Sequence, residues 1–91
     1  MSTITGTLKK INEIQVISEK FSKRTAVIET AGDYPQPIEV EFINDKTDLL
    51  NNFFGGEQVE AKYNLRGREW VDKTGQTRYF NTIQIWDIKA V

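Results

Sequence analysis

The run Ile38-Glu39-Val40-Glu41-Phe42-Ile43-Asn44-Asp45-Lys46-Thr47-Asp48-Leu49-Leu50-Asn51-Asn52-Phe53 contains the change of period that decides the fold. Over 38–42, apolar and acidic residues alternate strictly. This predicts a strand with Ile38, Val40 and Phe42 facing a core and Glu39 and Glu41 facing water. Asn44 or Asp45 can then cap a short helix over 46–53, with Leu49, Leu50 and Phe53 at helical spacing and Gly55-Gly56 as its stop. No other stretch of the chain reads as a helix.

Outward from this pair of elements, only strands are found. Ile4, Gly6 and Leu8 alternate with Thr5, Thr7 and Lys9, which predicts a long, bent first strand running through Ile11 toward Val16-Ile17. Gly6 inside it marks a bulge or the close approach of another strand. Ser18 to Lys23 reads as a turn or loop, and the β-branched run Thr25 to Thr30 as a second strand ended by Gly32-Asp33. Beyond the helix, Val59, Ala61, Tyr63 and Leu65 alternate with charged or polar residues in a fourth strand, and Thr77 to Ile88 makes a fifth. Residues 67–76 connect these two, with Lys73-Thr74-Gly75-Gln76 as a hairpin turn in which Gly75 supplies a positive φ. The order β, β, β, α, β, β predicts an all-β protein: a five-stranded OB-fold Greek-key barrel with one short helix between strands three and four, a single domain over residues 1–91.

Composition narrows the chemistry. The 91 residues are 38% hydrophobic and 27% charged, which places the chain among folded globular proteins. Cysteine and histidine are both absent, so disulfides, thiolate nucleophiles, the usual zinc ligand sets and imidazole acid/base catalysis are all removed. Glu39 and Glu41 share a strand face, as a glycosidase pair would, but no domain-sized pocket surrounds them in a chain this short. The expectation is a protein that binds and does not catalyse, without cofactor or metal. The N-terminus has no basic segment followed by an apolar run and no stretch is long enough to span a bilayer, so a cytoplasmic protein without a membrane partner is expected.

The formal net charge of -1 conceals a partition. Residues 29–60 hold eight acids and the single base Lys46, a balance of -7, and the remaining residues sum to +6. An OB-fold binds oligonucleotides with the face of strands two and three and with the loops joining strands one to two and four to five. The first loop contains Lys20, Phe21, Lys23 and Arg24; the second, with its flanks, contains Arg66, Arg68, Trp70, Lys73, Arg78 and Tyr79. Cations follow phosphates and aromatic faces stack on unpaired bases, so basic segments with interleaved aromatics suit single-stranded nucleic acid. Lys20, Lys23, Arg24, Lys62, Arg66, Arg68, Lys73 and Arg78 are expected along the backbone, with Phe21, Trp70 and Tyr79 stacking. The competing readings are structural: Trp70 and Trp86 can cover the barrel, and Arg66 and Arg68 can pair with Glu60 or Glu69. Glu39 and Glu41 would repel phosphate on strand three, which shifts the expected contacts to the two loops.

The segments Gly6-Thr7-Leu8, Tyr34-Pro35, Asp45-Lys46-Thr47-Asp48-Leu49-Leu50, Asn64-Leu65-Arg66-Gly67-Arg68-Glu69-Trp70 and Tyr79-Phe80-Asn81-Thr82, followed by Trp86, carry a resemblance over nearly the whole chain. The pattern resembles a small, functionally uncharacterised family of single-domain proteins from bacteria and phages that is similar to OB-fold single-stranded DNA-binding proteins. The resemblance implies sequence-tolerant binding of single-stranded DNA, or RNA, in replication, recombination or repair, in a bacterial cell or, if phage-encoded, in the host cytoplasm. With Val91 directly after strand five, the linker and acidic tail with which housekeeping proteins of that type recruit partners are not expected. A barrel of this size covers few nucleotides, so a homo-oligomer, a dimer or larger, is expected. The rival expectation is a protein-binding or assembly module whose acidic 29–60 segment meets the basic loops of a neighbour.

Overall fold

The computed structural model describes residues 2–91. The strands are β1 (Ser2–Ile11), β2 (Gln15–Ser18), β3 (Phe21–Thr30), β4 (Pro37–Ile43), β5 (Gln58–Val71) and β6 (Thr77–Ala90), and a 3-10 helix (Asn44–Asn52) lies between β4 and β5. β1 pairs antiparallel with both β3 and β5, β3 with β4, and β5 with β6, while one parallel pairing, Glu41 with Gln84, joins β4 to β6. Five strands thus close into a ring in the order β1-β3-β4-β6-β5, the OB-fold barrel, and β2 is added beyond β3 as a short hairpin strand.

Alternation fills the barrel. Leu8 of β1, Ala26 and Ile28 of β3, Val40 and Phe42 of β4, Val59 and Ala61 of β5, and Ile85 and Ile88 of β6 are buried together with Leu50 of the helix. Ile85 and Ile88 are three apart and would fall on opposite faces of a regular strand. The register shift opposite Lys62/Tyr63 resolves this, because Lys62 pairs with Asp87 and Tyr63 with Ile85, leaving Trp86 as an extra residue. This bulge reverses the parity of β6 and turns both isoleucines inward. Trp86 is 40% exposed, with the Lys46 ammonium 5.9 Å from its ring centroid.

Gly6 sits where β1 changes partners, paired with Thr30 on one side and Val59 on the other. A Cβ at this position would collide with the Glu29 carbonyl, so the close approach anticipated at this glycine is what closes the ring.

Several local expectations are corrected. The first strand does not run unbroken to Ile17: residues 12–14 interrupt it, and Val16 pairs with Ser22 in a separate hairpin. That hairpin makes Phe21 to Arg24 strand instead of loop. The helix is 3-10, not α, and it has no side-chain cap. The Asn44 side chain instead accepts a hydrogen bond from the Ser22 amide at 2.9 Å. Thr47 and Leu50 are buried and Phe53 packs on the core, a spacing of three that matches the 3-10 repeat. The connection over 67–76 is mostly strand, with β5 and β6 paired out to Val71 and Thr77 around a short turn in which Gly75 has φ 86°. The result is a long two-stranded arm. No helix among the described residues is long and apolar enough to cross a membrane.

Candidate nucleic-acid interface

The arm has two faces, fixed by register. Arg66 lies opposite Thr82, Arg68 opposite Phe80 and Trp70 opposite Arg78, whereas Leu65 lies opposite Ile83, Glu69 opposite Tyr79 and Val71 opposite Thr77. Directly paired residues point the same way, so the first set makes one surface and the second set its reverse. The arginine face looks onto the outer side of β3 and β4. Thr25, Glu41, Gln84 and Asn64 form a continuous row across β3, β4, β6 and β5, and above that row the arm forms one wall of an open groove of about 640 Å³.

Phe21 and Lys23 reach this groove from β3, Glu39, Glu41 and Ile43 from β4, Arg66 and Arg68 from β5, and Phe80, Thr82 and Gln84 from β6. The Arg68 guanidinium is 5.7 Å from the Phe80 ring centroid, and the Trp70 and Phe80 centroids are 6.4 Å apart with planes inclined at 49°. A cation and two tilted aromatic rings therefore make a cluster in which Trp70 and Phe80 stay about half exposed, at 48% and 47%. Arg66 donates to the Gln84 side chain at 3.3 Å. The ion pairs among the described residues are Lys9–Glu29, Asp72–Arg78 and Lys89–Glu60. The pairing of Arg66 or Arg68 with Glu60 or Glu69 is not among them, and both guanidinium groups remain available to a ligand.

The eleven residues singled out from sequence divide by position. Phe21, Lys23, Arg66 and Arg68 line the groove, and Trp70 and Arg78 lie on the same face of the arm. Arg78 is tied to Asp72 at 3.0 Å. Lys20 sits in the β2–β3 turn beside Phe21, and Lys73 in the turn at the tip of the arm. Lys62 shares the strand face of Arg66 but is paired opposite Asp87, away from the groove. Tyr79 is on the reverse of the arm. Arg24 points inward with Ala26 and Ile28 and donates to the Asn12 carbonyl at 2.7 Å, the Thr47 carbonyl at 3.2 Å and the Asn51 side chain at 2.9 Å. It ties β3 to the helix. Phe80, Thr82 and Gln84, which also line the groove and were not singled out from sequence, are identifiable by counting across the hairpin from its turn.

The tip of the arm is ordered by Asp72, whose carboxylate accepts from the Thr74 hydroxyl at 2.6 Å, the Thr74 amide at 2.9 Å and the Gln76 amide at 3.0 Å. The Thr74 hydroxyl first, then Arg78, hold its carboxyl below the usual range.

Residues 3–89 match the family model described as DUF3127, a domain of unknown function, and the chain belongs to that family. No curated protein sequence matches it. Among solved structures, the chain is similar to the N-terminal domain of PriB protein from Thermoanaerobacter tencongensis, described as dimeric, with a TM-score of 0.69, 16% identity, and coverage of 99% of this chain and 93% of that one. It is also similar to Rim1, the mitochondrial single-stranded DNA binding protein of S. cerevisiae, with a TM-score of 0.65, 13% identity, and coverage of 99% and 94%. At these identities the likeness is one of fold.

Proposed function

We propose that this member of the DUF3127 family binds single-stranded DNA in the groove between the arm and the outer face of β3 and β4, with a tolerance for sequence set by stacking. The observation that carries this reading is the meeting of Arg68 and Phe80 with Arg66 and Lys23 in one groove, with Trp70 next to Phe80 on the same face of the arm. Unpaired bases stack on such rings at roughly 1–3 kcal/mol each, and the cations neutralise phosphates alongside. The fold shared with Rim1, itself a single-stranded DNA binding protein, supports the reading. The role is binding and shielding of exposed strands in replication, recombination or repair, not catalysis.

Self-association, as a dimer or larger, belongs to the proposal. A groove of this size holds few nucleotides, and the similar PriB domain is described as dimeric. Leu65, Val71 and Tyr79, 72%, 59% and 71% exposed, leave apolar side chains on the back of the arm that a second copy would cover.

Fluorescence anisotropy of labelled oligo-dT at several salt concentrations tests the function. Three phosphate contacts, from Lys23, Arg66 and Arg68, give an expected log–log salt slope of about -2. If neither oligo-dT nor a mixed-sequence oligomer binds at low salt, or if the bound strand is indifferent to salt, the reading is wrong.

A further inference from the structure

Glu39 and Glu41 are the odd members of a groove meant for a polyanion. Both project from β4 on the outer face, two residues apart and therefore side by side, with Lys23 on one flank and Arg66 and Arg68 on the other. Neither is in an ion pair among the described residues, although three cations line the same groove. The cross-section is thus sorted: cations and aromatic rings on the walls, carboxylates on the floor between them. A strand laid along it avoids repulsion only if its phosphates follow the walls and its base edges point to the floor.

Resting on the single-stranded DNA reading above, we infer that Glu39 and Glu41 read base edges and give the groove a preference for guanine over thymine. A carboxylate only accepts hydrogen bonds. Guanine presents two adjacent donors, the ring N1–H and the exocyclic amino group, which two carboxylate oxygens take together in a charge-assisted pair. Cytosine and adenine present an amino group next to an acceptor nitrogen, so one oxygen is satisfied. Thymine presents N3–H between two carbonyl oxygens, and those oxygens repel the carboxylate. The order of preference is guanine first, cytosine and adenine between, thymine last. Splayed bases expose these edges in single strands, where they are not occupied by pairing.

The test compares anisotropy titrations of a labelled dT oligomer with alternating dT-dG, dT-dC and dT-dA oligomers of equal length, in lithium buffer to suppress guanine quadruplexes. The intact protein is used, together with Glu39→Gln, Glu41→Gln and the double variant, whose folding is checked by thermal melting. The alternating dT-dG strand is expected to bind on the order of ten-fold more tightly than dT, the discrimination typical of a good bidentate base contact. In the variants dT binding strengthens, because a negative charge is gone, and the ratio between the two strands falls toward one. Equal affinity of the wild-type protein for both strands, or a ratio that survives in the double variant, overturns base reading while leaving DNA binding intact. Failure of every oligomer, dT and mixed alike, to bind at low salt overturns both readings, whereas equal binding of all of them overturns base reading alone.

Discussion

Arg68 and Phe80 face each other across the β5–β6 pairing, with the guanidinium 5.7 Å from the ring centroid. The ring is only half buried, so it contributes little to the barrel and much to the surface of the groove. Replacing Phe80 with Ala is expected to weaken oligo-dT binding by about 1–3 kcal/mol, and Trp70→Ala by a similar amount, with the melting temperature nearly unchanged. Tyr34→Ala serves as the control, because its ring is exposed between β3 and β4 and does not line the groove. Equal losses for Tyr34→Ala and Phe80→Ala would place the bases elsewhere.

Lys23 and Arg24 are neighbours in sequence with opposite fates. Arg24→Ala removes three hydrogen bonds from a charged donor, two of them to backbone carbonyls and one to the Asn51 side chain. A loss of about 2–4 kcal/mol is expected in a urea titration. Lys23→Ala should leave the urea midpoint in place and reduce the salt slope of DNA binding by about 0.7, one phosphate contact. A stable Arg24→Ala protein with a reduced salt slope would reverse the assignment.

These two pairs also mark how far the sequence could be read. Strand order, the single helix and the inward residues of β4 follow from alternation and from one change of period, because each depends on near neighbours. What was missed is parity. Residues 21–24 and 66–71 carry the charge and aromatic content of loops, yet they continue as strands, and a strand sends successive side chains to opposite faces. That divides Lys23 from Arg24 and Phe80 from Tyr79. The turn over 72–76 already contained the correction, since pairing outward from it places Arg68 opposite Phe80. The bulge at Trp86 has no such signal: it is imposed by the need of the closed barrel to bury both Ile85 and Ile88.

Gly6 gives a test of closure. A methyl group there meets the Glu29 carbonyl, and that oxygen belongs to a neighbouring strand and cannot swing aside as a flexible side chain would. Gly6→Ala is expected to cost about 2 kcal/mol or more, read from chemical denaturation. A variant as stable as the parent would mean that β1 has room to slide between β3 and β5.

Asp72 gives the pH test. In the unfolded chain its carboxyl titrates near the ordinary 3.8, and in the folded arm the Thr74 hydroxyl and Arg78 hold it lower. A depressed folded value means that the stabilising contribution is complete above 3.8, falls away as pH drops through the folded value, and is gone below it. Protonation removes acceptor capacity on which the Thr74 and Gln76 amides and Arg78 converge, so the tip of the arm should loosen before the barrel does. Carbon-detected NMR titration of the Asp72 carboxyl is expected to show a midpoint below 3.8, with the Thr74 and Gln76 amide resonances moving in step. Asp72→Asn should abolish that step and, because Trp70 is paired with Arg78 next to the turn, weaken oligo-dT binding at neutral pH without lowering the urea midpoint of the barrel. A midpoint at or above 3.8 would show that these hydrogen bonds do not hold the turn in solution.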